Sequence, residues 1–231
     1  MTVFSTPPRQ RGIEILDDPF VDPEVMRRSM RDVELANVIF GGKRAAIAEL
    51  RLVLKSLAGE VSLLDVGTGR GDISRAAVEV AKTSGINLST IGLDISEPLL
   101  QLAAGSNTRV VRADALHLPF ADRSIDIVLA SQVLHHFPPE STDAFLRELH
   151  RVARTGVVLS DLRRSRLAAV GLWLGSFPLG FHPVSRHDGV VSVMRGFIPA
   201  EMADMVETAT GVRPLVRRRL GFRLTTHWMK N

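Results

Sequence analysis

Between residues 22 and 58 apolar side chains recur at the three-and-four spacing of helices. Asp22-Pro23 reads as an N-cap followed by proline at the first helical position. Behind it Val25, Met26, Met30, Val33, Ala36, Val38 and Ile39 form a mixed apolar stripe. Gly41-Gly42 breaks this helix, and Ile47, Leu50, Leu54 and Leu57 mark a second one over 43–58. From residue 61 the texture changes. Short apolar runs at 61–67, 88–96, 108–115, 124–132 and 155–162 alternate with helical segments at 70–85, 97–105 and 142–154. Strands alternating with helices at this spacing predict a parallel sheet covered on both faces. A helix at 199–210 and two closing strands, 212–220 and 221–229, complete the pattern, the last pair as an antiparallel hairpin. The expected fold is α/β: a doubly wound, mostly parallel seven-stranded sheet with a C-terminal hairpin and N-terminal helices. Residues 1–58 form a leader plus two helices, the leader itself short and flexible. Residues 59–231 form the main domain, with a less regular insertion at 163–198.

Composition narrows the class. The chain has 231 residues, 45% hydrophobic and 23% charged, enough to bury a full core and too apolar for disorder. No run of about 18 uncharged apolar residues occurs, which excludes a spanning helix. The first twenty residues lack an apolar core followed by a small-residue cleavage site, so a cytoplasmic location is expected. Cysteine and tyrosine are both absent. Disulfides, thiolate metal sites and cysteine nucleophiles are therefore excluded, and a general base must be His, Asp, Glu or Lys. Residues 1–146 carry 15 Lys/Arg against 19 Asp/Glu, whereas 147–231 carry 14 against 6. The basic C-terminal third is compatible with an anionic partner or with solvated arginines.

The chemistry concentrates at Leu64-Asp65-Val66-Gly67-Thr68-Gly69-Arg70-Gly71-Asp72. This stretch turns the first strand of the sheet into a helix, where open α/β sheets bind ligands. Glycines at alternating positions let the backbone turn sharply and approach a ligand closely. A dinucleotide loop would need glycine where Asp72 stands, and a phosphate loop would need Gly-Lys-Ser/Thr. The loop therefore favours a nucleoside-type ligand without a pyrophosphate. Asp65 favours a positively charged group on that ligand.

Asp65 to Gly71 resembles motif I, D/E-x-G-x-G-x-G, of the class I S-adenosylmethionine-dependent methyltransferases, and companion motifs extend the resemblance over 61–161. Asp94, closing Ile91-Gly92-Leu93-Asp94, matches the acid that takes both ribose hydroxyls in that family. Asp114, in Arg112-Ala113-Asp114-Ala115, resembles the residue that recognises the adenine amino group. Leu116-His117-Leu118-Pro119-Phe120 and Ile125-Asp126-Ile127-Val128 follow the family's D-a-x-x-L-P-F…x-D-x-V run. Ser131 to Phe137 resembles the segment lining the methyl-donor site. The resemblance implies a Rossmann-like methyltransferase fold and S-adenosyl-L-methionine as cofactor. Its binding set would be Asp65, Gly67, Thr68, Gly69, Gly71, Asp94, Ile95, Asp114, Ala115 and Ser131.

For the methyl acceptor, a small aromatic or polyketide-like molecule fits best. The insertion carries the apolar run 167–181 directly after Arg163-Arg164-Ser165-Arg166, which suits core, a lid over an apolar acceptor or an interfacial helix. With the leading helices and the segment 186–197, the chain is similar to methyltransferases associated with type III polyketide synthases, thought to O-methylate phenolic lipids. Such a hydroxyl needs a base near neutral pH. His135, His136 and His187 compete for that part. The first two point about 100 degrees apart on a short helix, so one of them faces the methyl group. His187 stands beside Asp188, and His187 or His136 is expected to remove the proton. No histidine group shows metal-ligand spacing with carboxylates, so no metal is expected. Three other readings stay open: C-methylation of a quinone precursor, a cofactor-binding sensor or partner subunit, and an RNA methyltransferase. Nucleic acid is disfavoured, because Arg217-Arg218-Arg219 on a strand cannot present one contiguous face. The family's exocyclic-amine motif is also replaced here by Ser131-Gln132-Val133-Leu134. The apolar helices are compatible with a homodimer or with peripheral membrane contact.

Overall fold

A computed structural model describes residues 6–18, 20–104 and 109–230. Expectations for leader residues 1–5 and 19, for the helix end at 105 and for the strand start at 108 lie outside these residues. Seven strands form one sheet: β1 (Gly59–Val66), β2 (Ile86–Asp94), β3 (Arg109–Arg112), β4 (Ile125–Ser131), β5 (Ala153–Leu162), β6 (Arg217–Arg219) and β7 (Arg223–Met229). Their order is β3-β2-β1-β4-β5-β7-β6. The first five strands are parallel, β7 runs antiparallel to β5, and β6 antiparallel to β7.

Parallel neighbours need crossovers, and the helices supply them. They are α1 (Pro23–Ile39), α2 (Gly42–Leu54), α3 (Asp72–Thr83), α4 (Glu97–Ala104), α5 (Pro139–Val152), α6 (Arg166–Ser176), α7 (Pro183–Arg195) and α8 (Pro199–Thr210). Alternate strand residues face opposite layers. Leu63, Ile127, Leu129 and Val158 pack with Leu50, Val53 and Leu54 of α2 and Ala77 and Ala81 of α3. Leu64, Val128, Val157 and Leu159 pack with Phe145 and Leu149 of α5, Met202 and Val206 of α8, and Trp228. Both faces are thereby covered, which explains the nearly unbroken apolar strands. The chain winds from β1 outward to β3 on one side and returns to β4 on the other. This switch opens a crevice at the carboxyl ends of β1 and β4, the ligand-binding place of such sheets.

Three expectations are corrected. The described part of the leader, expected to stand free, is packed against α7 and the residues just before α6. Arg195 of α7 donates to Gly12 O, Glu14 and Asp17. Arg164 donates to Pro7 O, and the Ile15 and Leu16 amides donate to Asp188. Residues 163–198 are not irregular but mostly two helices, α6 and α7, whose amphipathic period is blurred because apolar side chains cover several faces. The closing strand expected over 212–220 shrinks to Arg217–Arg219, since Pro214 lacks the amide a ladder needs.

α2 also carries a buried acid. Glu49 accepts from Arg217, Arg219, Thr225 and His227 at 2.6–2.8 Å, tying the helix to the hairpin. Arg217 and Arg219 thus share one face, as strand alternation requires.

Candidate active site

The crevice is walled first by the loop after β1. Gly67, Gly69 and Gly71 have φ of 70°, 54° and 72°, the left-handed region that favours glycine. A Cβ on Gly67 would come within 2.3 Å of Val133, whereas one on Gly69 would meet nothing within 4 Å. The first glycine is needed for packing and the second leaves open space for a ligand. The Gly67 and Thr68 amides donate to Leu93 O at 2.8 and 3.0 Å, fixing the loop on β2.

Asp65 is fully buried beneath the loop and accepts from the Thr68 and Ser74 hydroxyls at 3.0 and 2.7 Å. Burial pushes its carboxyl up to about 6 despite those hydrogen bonds, with Asp72 and Asp94 adding to the rise. Asp72, at the first position of α3, is also buried and shifted upward by burial. Its Oδ2 has no hydrogen-bond partner. Two acids with raised affinity for a proton at one place suit a cationic ligand group.

At the end of β2, Asp94 accepts the Gly69 amide at 3.2 Å and the Ser96 amide at 3.0 Å. Asp114 follows β3 and accepts the Leu116 amide at 2.9 Å, which holds it below the usual carboxylate range. Ile95, Ala115 and Ser131 line the same crevice, and the buried Ser131 hydroxyl has no partner. Of the ten residues expected to bind cofactor, all but Gly71 line the cavity; Gly71 N-caps α3 behind the loop.

The cavity measures about 1460 Å³, above the roughly 300–1,000 Å³ of ordinary small-molecule sites. It has room for two ligands. Beyond the acids its wall becomes apolar, with Met26, Met30 and Val33 from α1, Leu172 from α6 and Phe181 before α7. The ordered leader adds Glu14, Leu16 and Asp17.

Between the two regions lies a turn, Leu134–His136, that follows β4. His135 is buried and its Nδ1 lies 2.7 Å from Asp161 Oδ1, while its backbone amide donates to Asp161 Oδ2 at 3.2 Å. Burial pushes the Asp161 carboxyl up, but His135 prevails and holds it below the usual range. The His136 ring lies 4.2 Å from that of His135, tilted by 35°, and has Nδ1 3.3 Å from Asp17 Oδ1. Burial lowers its basicity, yet Asp17 and Glu14 outweigh that and raise it. His187 behaves otherwise. It reaches Asp188 at 2.8 Å, but its ring is half-exposed and is not among the cavity-lining residues. Asp188 itself lines the cavity and holds the leader amides.

Sequence spacing missed two features here. Asp161 is a lone acid in the apolar run of β5, and a charge inside such a run was its available signal. Glu14, His135 and His136 also converge, with one ligand-type atom each within 4.8 Å of the others. Glu14 is already engaged by Ser192 and Arg195, however, and His135 by Asp161. No sequence window could show a cluster formed across more than a hundred residues.

The strand order, the left-handed glycine loop and the acids ending β2 and following β3 resemble the Rossmann-like cofactor site of the class I S-adenosylmethionine-dependent methyltransferases. Residues 64–160 match the family model for a methyltransferase domain. Its cofactor is S-adenosyl-L-methionine. The residues fit that group: open space at Gly69 and two raised acids suit its amino-acid end. A demethylmenaquinone methyltransferase of Lactobacillus johnsonii is 35% identical over 109 residues, covering 44% of this chain and 42% of the relative. A tRNA (carboxymethyluridine(34)-5-O)-methyltransferase of Arabidopsis thaliana is 34% identical over 106 residues, covering 45% of this chain and 24% of the relative. The match spans less than half the length of these relatives. The solved plantazolicin methyltransferase in complex with a triazolic desmethyl analogue and SAH shares the fold, with a TM-score of 0.70 at 14% identity. That likeness covers 94% of this chain and 95% of that one. Among the described residues no helix is long and apolar enough to cross a membrane.

Proposed function

We propose that the protein is an O-methyltransferase acting on a hydroxyl of an apolar aromatic, phenolic or polyketide-like small molecule. The observation that carries this reading is the buried His135–Asp161 pair, set in the cavity wall between the cofactor residues and the apolar half. Asp94 would take the ribose hydroxyls, Asp114 the adenine amino group and the glycine loop the amino-acid end. S-adenosyl-L-methionine supplies a methyl group on a sulfonium, already activated for displacement. The protein's part is alignment and proton removal. Asp161 holds the Nδ1–H of His135, which leaves Nε2 as the free acceptor for the hydroxyl proton. His136, whose hold on a proton is strengthened by Asp17 and Glu14 against the effect of burial, would stand beside the acceptor oxygen.

Two further observations bear on rival readings. The similarity to demethylmenaquinone methyltransferases supports carbon methylation of a quinone precursor as the second reading. Nucleic acid is disfavoured, because Arg217 and Arg219 are consumed by Glu49 and Arg213 by Asp204 and Glu207. The deciding experiment offers apolar phenols, quinol precursors and RNA to the protein with cofactor and analyses products by mass spectrometry and carbon NMR. An O-methyl ether formed by wild type and lost in His135→Asn supports the reading. A C-methyl product, or an ether formed equally by His135→Asn, overturns it.

A further inference from the structure

Three arginines are buried among the described residues: Arg164, Arg195 and Arg223. The first two are satisfied. Arg164 grips Glu201, Pro7 O and Gly196 O. Arg195 grips Glu14, Asp17 and Gly12 O. Arg223, the first residue of β7, is only 5% exposed and lines the cavity. Its Nε has no hydrogen-bond partner, and no carboxylate among the described residues forms an ion pair with it. Asp161 attracts it through space, but the Asp161 oxygens are engaged by His135 and the Leu162 amide. Burial lowers the guanidinium to about 10, so it stays charged at neutral pH. A buried charge without a partner is costly, and a fold retains one where a ligand completes it.

Its surroundings point the same way. A point one bond off the Gly42 Cα lies 2.8 Å from Asn37 Oδ1, 3.0 Å from Gln132 Nε2 and 3.3 Å from Arg223 Nε. Gln132 Nε2 spends one of its two N–H groups on Asn37 Oδ1, at 2.5 Å, and keeps the other. Gln132 is held at φ 60°, a costly conformation for a residue with a side chain, and it too lines the cavity. The N-terminus of α2 beside them has no side-chain cap and no acid in its first turn, so its dipole adds positive potential.

We infer that Arg223, with Gln132 beside it, binds a carboxylate carried by the aromatic acceptor. This deepens the proposed function and rests on the cavity's apolar half being the acceptor's. A carboxylate fits better than a phosphate, because one guanidinium balances one unit of charge. Glu14, Asp17 and Asp188 line the same cavity and would repel a dianion more than a monoanion. The planar fork of the guanidinium also matches a carboxylate in two parallel hydrogen bonds.

The test uses alkyl-substituted hydroxybenzoic acids and their matched carboxamides, titrated calorimetrically into the full chain saturated with S-adenosylhomocysteine. Wild type should bind the acids about 10- to 100-fold more tightly than the carboxamides, the range of a charge-assisted hydrogen-bond pair. Arg223→Gln should erase that preference while leaving carboxamide and S-adenosylhomocysteine affinities unchanged, which shows that the variant is folded. Arg223→Lys should restore part of it. Failure of every acid to bind wild type, or equal acid binding in Arg223→Gln, overturns the inference. Arg223-dependent binding without any methylated product would leave it standing and sink the O-methyltransferase reading. Methylation of neutral phenols independent of Arg223 would do the reverse.

Discussion

Asp94 and His135 line the same cavity, and the proposed function gives them separable duties. Asp94 meets the cofactor side, so Asp94→Ala should weaken S-adenosylhomocysteine binding by roughly 10- to 100-fold, the worth of two charge-assisted hydrogen bonds. Isothermal titration measures it directly. His135→Asn and Asp161→Asn should leave that affinity intact and slow turnover by about 100- to 10,000-fold, as loss of general base catalysis does. His187→Ala, by contrast, should change turnover little, because the ring lies off the cavity. Asp65 adds a pH dependence. Its folded value near 6 exceeds that of an unfolded aspartate, so ionising it costs stability as pH rises from about 4 through 6. The ionised form is the one that pairs with an ammonium. Affinity for S-adenosylhomocysteine should therefore rise between pH 5 and 7 and flatten in Asp65→Asn.

At the scale of elements, the leader works as a strap across α7. Its anchors are the Arg195 contacts to Gly12 O, Glu14 and Asp17 and the Asp188 contacts to the Ile15 and Leu16 amides. The strap delivers Asp17 to His136, so the charge of that histidine depends on a segment more than a hundred residues away. Arg195→Met takes from the buried Glu14 its closest cation and leaves only His136 at 3.8 Å, a loss of up to about 3–5 kcal/mol locally. Hydrogen exchange should then show residues 6–18 opening while the amides of β1, β4 and β5 stay protected. Unchanged protection across the leader would mean that the strap is held by other contacts. The elements legible beforehand were those with local signatures, such as α1 with its Asp22 cap and β1 with its glycine turn. α6 and α7 were not: α6 is apolar on nearly every face, with Leu167, Val170, Trp173 and Leu174 exposed, and so lacks the period that marks a helix.

For the whole molecule, Glu49 joins the α2 layer to the antiparallel edge of the sheet. Burial alone would push its carboxyl up. His227, Thr225, Arg219 and Arg217 outweigh that and bring it to about 2. A depressed carboxylate contributes stability above its unfolded value and loses it as pH falls through the folded one. Acid unfolding should thus include a loss on the order of 3 kcal/mol between pH 4.5 and 2. Glu49→Gln should remove that pH-dependent part and lower the neutral-pH melting temperature, as followed by circular dichroism. Equal acid sensitivity in the variant would place the weak point elsewhere.

The sequence by itself determined the doubly wound sheet, its seven strands and the cofactor loop. Each depends on short-range physics: alternation along a strand, three glycines in one turn, an acid ending β2 and another following β3. Asp65, Asp94 and Asp114, all of which line the cavity, stand out in the sequence for that reason. What only the tertiary structure decided was the acceptor side. The proposed base His135 is set apart from His187 by Asp161, 26 residues away. The ordered leader turns on α7, and the unpartnered state of Arg223 on every element around it. Such pairings arise from the register of distant strands and the docking of helices, and a local pattern of apolar and polar residues carries no record of them.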